Sequence, residues 1–235
     1  MSDDWQQAFE VAERTALEAG RLVMEGFRAS GRVSRKGKFD LVTEFDFASE
    51  ELIRDRIGTA FPSPRIVGVE GEARGEGAFV WYVDPIDGTV NFAHGHPYFC
   101  VSVALFREAE GLVGIVHAPA LGITWKAARG IGAFRNDEPC RVSSRSSLDE
   151  ALCTTGFPGN IAATSDTNEA EIGAFARETR GIRRCGSAAL DLAMVGDGTY
   201  DIYWERALKP WDIGGGMVIA AESGGTLTRY DGSVA

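Results

Sequence analysis

Apolar residues near the start of the chain recur at steps of three and four: Ala8, Phe9, Ala12, Ala16, Ala19, Val23 and Phe27. That spacing follows the turn of an α-helix and makes one face apolar. A helix is therefore expected from Asp4 to about Ala29, stopped by Gly31. Arg32 to Asp40 collects Arg32, Arg35, Lys36 and Lys38 and reads as an exposed turn or short hairpin. A second helix is expected from near Asp46 to Pro62, carrying Phe47, Leu52 and Ile57. Ile66 to Val69 and Phe79 to Val83 then read as buried strands. The runs Phe99–Phe106, Gly111–His117 and Ile123–Ala127 read as an antiparallel meander.

Beyond the meander the pattern alternates. A strand near Leu152, a helix over Glu169–Thr179, a strand at Ile182–Cys185, a helix at Ala188–Val195, a strand at Tyr200–Trp204 and a helix from Asp212 follow one another. Interleaved strands and helices stack in layers, so the fold class is α/β. The linker-like stretches Gly71–Gly77 and Gly156–Thr167 do not separate independent domains. One unit over 1–235 is expected, with halves of about 1–140 and 141–235.

The 235 residues hold 24 Lys and Arg against 34 Asp and Glu, a net charge of −10 that disfavours a broad nucleic-acid surface. No apolar run is long enough to span a membrane, and Met1-Ser2-Asp3-Asp4 is too polar for a signal peptide. A cytoplasmic protein is expected. Cys100, Cys140, Cys153 and Cys185 have no close pairing and read as buried free thiols. His94, His96 and His117 read as structural or surface groups.

The densest chemistry lies in Trp81 to Phe92, where Asp84 and Asp87 stand three apart at the end of a strand before Gly88 and Thr89. Two carboxylates and the carbonyl of Ile86 make an all-oxygen half-shell suited to magnesium. Gly88 and Thr89 would open a helix whose free amides attract a phosphate. Asp-Pro and Asp-Gly also build ordinary turns, which is the bland alternative for this spacing taken alone.

The longer pattern D-P-[IL]-D-G-T-x-N-F stands unbroken from Asp84 to Phe92, and a second, W-D followed by E-x-G-G, runs from Trp211 to Gly225. With Asp40–Asp46, Gly186–Leu192, Tyr203–Glu205 and Lys209–Asp212, the chain resembles the inositol monophosphatase family over nearly its whole length. The resemblance implies a layered α-β-α-β-α sandwich of the inositol monophosphatase and fructose-1,6-bisphosphatase type. It also implies a homodimer that hydrolyses a small phosphorylated metabolite with two or three Mg2+ ions and is sensitive to lithium. It places Glu70, Asp84, the Ile86 carbonyl, Asp87 and Asp212 on metal, with Asp46 in the outer metal region. Thr89, Glu70 and Asp46 would be catalytic. Asp87, Gly88, Thr89, Arg184, Gly186, Ser187, Ala188, Glu205 and Asp212 would hold substrate. Arg206 and Lys209 flank that region and read as solvated cations. Inositol 1-phosphate or a related polyol phosphate is the expected substrate; the alternatives are a histidinol-phosphate phosphatase and a catalytically impaired binding or regulatory member.

Two departures stand out. The family's G-E-E run is Gly68-Val69-Glu70 here, with valine in place of the first glutamate, so Glu70 would need a one-residue bulge to reach the metals. The resemblance also implies a strand and helix beyond Gly225, so the end at Ala235 reads as short. Asp191 is left open between a helix polar position and a dimer contact.

Overall fold

A computed structural model describes residues 5–28, 33–35, 41–158 and 164–233. Helix α1, Trp5–Gly26, forms on the expected periodicity and buries Ala8, Phe9, Ala12, Ala16, Ala19 and Val23. Asp4, Ala29 and Gly31 lie outside the described residues. The basic stretch contributes strand β1 (Val33–Arg35), which pairs antiparallel with β2 (Leu41–Thr43) just beyond it; residues 36–40, where the turn is expected, lie outside the described residues.

Helix α2, Glu44–Ala60, starts two residues before the expected position because Thr43 caps it. The Thr43 hydroxyl accepts the Phe45 amide at 3.2 Å, and the Asp46 carboxylate accepts the Thr43 amide at 2.7 Å, a reciprocal capping box. Of the apolar residues named for it, Ile57 is buried and Leu52 packs against the core, whereas Phe47 is 52% exposed; Asp46, Ser49, Glu50 and Arg54 are buried beside Ile53 and Ile57.

Seven strands make the main sheet: β3 (Arg65–Gly68), β4 (Phe79–Asp87), β5 (Cys100–Arg107), β6 (Glu110–Ala118), β7 (Ile123–Ala128), β8 (Gly132–Arg135) and β9 (Glu138–Pro139). They lie in sequence order; β3 and β4 run parallel and all later neighbours antiparallel, so the expected meander is present and two strands longer. Between β4 and β5 comes α3, Thr89–Ala93. The second half holds β10 (Leu152–Thr155), α4 (Glu169–Glu178), β11 (Gly181–Arg183), α5 (Ala188–Gly196), β12 (Ile202–Trp204) and α6 (Pro210–Glu222). Its three strands pair in parallel in the order β11-β10-β12.

The main sheet is covered on both faces. On one, α1 and α2 pack Ala12, Val23, Ile53 and Ile57 against Trp81, Val83, Val103 and Ile115. On the other, α5 and α6 pack Leu190, Ala193, Val218 and Ile219 against Ala104, Val116 and Trp125. The smaller sheet lies on the far side of α5, and Phe175 of α4 stacks on Trp204 of β12 with ring centres 4.6 Å apart. Helix α6 approaches the sheet through Gly214 and Gly215 and α5 through Gly216. A Cβ on Gly215 would meet the Ser102 hydroxyl at 2.7 Å and the Ile115 carbonyl at 2.9 Å, so no larger residue lets the helix settle there.

Candidate active site

On a regular strand, residues three apart project to opposite faces. Asp84 and Asp87 escape this because β4 bulges between them: Asp84 pairs with Ser102 and Asp87 with Cys100, three residues on β4 against two on β5. The extra residue brings both carboxylates to one side, and Pro85 within it has no amide to leave unpaired. The Asp84 Oδ1 accepts the Ile86 amide at 3.0 Å, and the Ser49 hydroxyl of α2 donates to the Pro85 carbonyl at 3.4 Å. Strand β4 therefore runs on to Asp87, beyond the expected end at Val83.

Thr89 opens α3 directly after the bulge. Its hydroxyl faces two acceptors, the Ile86 carbonyl at 2.9 Å and Asp46 Oδ1 at 3.1 Å. The other Asp46 oxygen is held by the Thr43 amide at 2.7 Å and hydroxyl at 2.6 Å. Burial pushes the Asp46 carboxyl up, against those hydrogen bonds. Helix α3 has only five residues, so its free amides, not a summed helix dipole, are what Gly88 and Thr89 present. Gly88 is left-handed at φ 95°, and a Cβ there would press on the Tyr98 carbonyl at 3.0 Å and the Gly186 carbonyl at 3.2 Å.

The second half of the chain closes on the same place. Asp87 Oδ2 accepts the Ser187 hydroxyl at 2.6 Å and the Ala189 amide at 2.7 Å, which seats the carboxylate on the first turn of α5. Asp212 lies in the first turn of α6, its Oδ2 accepting the Lys209 amide at 2.7 Å. Glu205 follows β12 and accepts the Tyr203 hydroxyl at 2.8 Å. A Cβ on Gly156, at the end of β10, would collide with the Glu205 carboxylate.

These acids act on one another. Burial, then the charges of Asp87, Asp212 and Asp46, hold the Asp84 carboxyl well above the usual range. Burial, with the charges of Asp212 and Glu205 and against the Ser187 and Ala189 hydrogen bonds, pushes Asp87 up to about 7. Burial, with the charges of Asp191 and Asp212 and against the Tyr203 hydrogen bond, pushes Glu205 up to about 7. Among the described residues no three His, Cys, Asp or Glu side chains are gathered tightly enough to hold an ion as they stand. The donor set nevertheless fits a hard divalent cation: Asp84, Asp87, Asp212 and the Ile86 carbonyl are all oxygen, and the mutual repulsion of the carboxylates is what such a charge relieves.

The comparisons with known proteins decide which family builds this site. Residues 4–234 match the model of the inositol monophosphatase family. The chain belongs to the inositol monophosphatase family. An inositol-1-monophosphatase of a Synechocystis strain is 39% identical over 97% of this chain and 80% of its own length. A Thermotoga maritima protein named fructose-1,6-bisphosphatase/inositol-1-monophosphatase is 40% identical over 93% of this chain and 83% of its own. An inositol monophosphatase structure from Anabaena superposes with a TM-score of 0.91 at 36% identity, over 99% of this chain and 88% of that one. The layered α/β fold is the family's, the chain is a phosphatase, and the family works with metal.

Seen as a member of that family, the chain differs from expectation around Val69 and Glu70. The β3–β4 ladder runs without a register shift from Arg65 opposite Val80 to Gly68 opposite Val83 and ends there, so Val69 and Glu70 lie past the strand and not in a bulge of the ladder. They stand in a turn. Glu50 Oε2 accepts the Glu70 amide at 2.7 Å, Glu50 Oε1 accepts the Gly71 amide at 2.8 Å, and Arg54 donates to the same Oε1 at 2.8 Å. Val69 and Glu70 are both half-buried in that turn.

Arg184 is exposed, and its guanidinium folds over Gly186, 2.9 Å from where a Cβ would stand; its charge acts on Glu205 and Asp191. Arg206 is engaged elsewhere, with Asp166 at 2.7 Å, Glu171 at 2.5 Å and the Tyr230 ring at 3.9 Å. Lys209 is exposed. His117 is structural: burial pushes it down to about 4, and its Nδ1 lies 2.9 Å from the Thr124 hydroxyl. Two residues lie inside the sequence motifs without a settled role there, and their partners are distant in sequence. Asn91 donates into the second half of the chain, and Asp191, buried on α5, accepts the Tyr98 hydroxyl at 2.6 Å.

Proposed function

We propose that the chain hydrolyses inositol 1-phosphate or a closely related polyol phosphate, with Mg2+ as its ion. The observation that carries this reading is the β4 bulge, which sets Asp84 and Asp87 on one side beside the Thr89–Asp46 pair. In this reading Asp84, the Ile86 carbonyl, Asp87 and Asp212, with Glu70, hold two or three ions. When bound, Mg2+ offsets the charge on phosphate oxygens and acidifies water.

The protein's own groups do the rest. Thr89 has one proton and two acceptors. Donating to Asp46, it keeps lone pairs free to orient the attacking water, and Asp46, fixed by Thr43, is placed to share the proton released. The amides at Gly88 and Thr89 face the phosphate. Arg184, Gly186, Ser187 and Ala188 border the alcohol, and Glu205 accepts hydrogen bonds from its hydroxyls. A cytoplasmic homodimer completes the reading; the four cysteines stand as free thiols, as a reducing compartment keeps them.

The test is Mg2+-dependent phosphate release from inositol 1-phosphate, histidinol phosphate and fructose 1,6-bisphosphate, with Asp87→Asn, Glu70→Gln and Val69→Glu alongside. The expected result is preference for inositol 1-phosphate and a loss of at least ~100-fold in Asp87→Asn. A comparable loss in Glu70→Gln places that carboxylate on metal; a gain in Val69→Glu shows instead that the valine has cost a ligand. Release that needs no divalent cation, or that Asp87→Asn leaves intact, overturns the proposal.

A further inference from the structure

Asn91 stands on α3, two residues past Thr89, and its side-chain amide points across to the other half of the site. Nδ2 donates to the Tyr98 carbonyl at 2.6 Å and the Cys185 carbonyl at 2.9 Å, and the Gly186 carbonyl lies at 3.4 Å. An amide nitrogen carries two hydrogens, so Tyr98 and Cys185 each take one and Gly186 shares. The segment entering α5 is built around this amide: Gly186 has φ +87°, and a Cβ there would stand 3.2 Å from Asn91 Nδ2. Tyr98 is gripped at its far end as well, its hydroxyl donating to Asp191 Oδ1 at 2.6 Å. The Asp191 amide donates to the Ser187 carbonyl at 3.0 Å, which closes a ring of contacts from Asn91 through Cys185, Ser187, Asp191 and Tyr98 back to Asn91.

We propose that Asn91 is a positioning residue. It sets the distance between the phosphate-facing turn at Gly88–Thr89 and the alcohol-facing segment at Arg184–Ala188, and so governs which phosphate monoesters fit. This rests on the phosphatase reading above. Asp87 makes another bridge to the same segment, through Ser187 and Ala189, but its charge also serves the cation site. Asn91 is neutral at every working pH and bonds only main chain across the gap, so its part is separable from the metal chemistry. A shift of the alcohol-facing segment by about 1 Å weakens binding of a substrate that uses it and leaves one that does not.

The test uses Asn91→Asp, nearly the same shape but placing an acceptor against three carbonyl oxygens, with Asn91→Ala and Tyr98→Phe. Tyr98→Phe keeps every backbone acceptor and removes the hydroxyl that links to Asp191 and also lies 3.5 Å from Met194 Sδ, so it tests the far end of the ring if the Asn91 variants do not fold. For inositol 1-phosphate, kcat/KM is expected to fall ~30-fold in Asn91→Asp, chiefly through KM, and to a lesser extent in Tyr98→Phe. For p-nitrophenyl phosphate, whose leaving group has no hydroxyls for the segment to read, the change stays below ~3-fold. Equal losses on both substrates, or none on either, overturn the proposal.

Hydrogen exchange gives a readout free of turnover. The Ala189 and Asp191 amides, bonded to Asp87 and to the Ser187 carbonyl, are expected to exchange ~10-fold faster in the variants while β6 is unchanged. Unchanged protection overturns the positioning role. Wild-type protein that hydrolyses neither ester sinks the phosphatase reading instead, and exchange alone then decides for or against Asn91.

Discussion

A single hydrogen decides what Thr89 can do. Its hydroxyl has one proton to give and two acceptors within 3.1 Å, Asp46 and the Ile86 carbonyl. If the Thr89–Asp46 contact orients water, Thr89→Ala lowers kcat by ~100-fold or more, Thr89→Ser keeps most of it, and Asp46→Asn matches Thr89→Ala. Groups that act as one unit are not additive, so the Thr89→Ala/Asp46→Asn double variant should be no slower than either single. Initial rates at saturating substrate check this, and multiplying losses would show two independent roles. At this scale the sequence was legible where the chemistry is contiguous: Asp84, Ile86, Asp87, Gly88 and Thr89 sit in one run and are neighbours in space. Asn91 with Cys185, and Tyr98 with Asp191, were not legible. They meet across 94 and 93 residues, and neither partner carries a local pattern that points to the other.

Among the elements, periodicity succeeded where burial is apolar and failed where it is polar. Helix α1 buries alanines, Phe9 and Val23 at helical spacing and stood out at once. Helix α2 buries Asp46, Ser49, Glu50 and Arg54 beside Ile53 and Ile57 and exposes Phe47, so apolar spacing does not announce its polar burial. Those buried polar groups have work: Asp46 meets Thr89, Ser49 holds the β4 bulge, and Glu50 with Arg54 anchors the turn of Val69 and Glu70. The sequence places Asp84 and Asp87 at the end of a strand, and a bulge lets β4 continue through Asp-Pro to carry both. In α6 Gly214 and Gly215 let the helix lie close on the sheet, Gly216 lets it lie close on α5, and together they seat Asp212. Gly215→Ala, with its Cβ 2.7 Å from the Ser102 hydroxyl and 2.9 Å from the Ile115 carbonyl, should destabilise the fold by about 1–3 kcal/mol. Urea unfolding measures that loss, and activity should fall further than stability alone accounts for because Asp212 moves with the helix. A neutral Gly215→Ala would mean that the sheet yields and the close approach does not matter.

Across the whole molecule, a chain of net charge −10 turns a set of buried acids inward on one another. Burial is the first cause that pushes Asp87, Asp191 and Glu205 each up to about 7, while free aspartate and glutamate sit at 3.8 and 4.5. The native state therefore holds protons that the unfolded chain has released between about pH 4 and 7. By linkage, the stabilisation these groups contribute is full below the unfolded values and is lost as pH rises through the native ones. A divalent cation has the opposite dependence, since it binds ionised carboxylates and competes with the protons that hold them neutral. Mg2+ at about a hundred times its dissociation constant contributes ~2.7 kcal/mol, or roughly 5–10 °C in a chain of this size. That rise in melting temperature should appear at pH 8 and shrink markedly at pH 5.5. Asp84→Asn, which removes one ligand and part of the repulsion together, should melt higher than wild type at pH 8 without Mg2+ and gain little when Mg2+ is added. Calorimetry on both proteins at the two pH values measures all four cases. Equal Mg2+ effects at pH 5.5 and 8, or an Asp84→Asn variant that responds like wild type, would remove the acid cluster from the cation site.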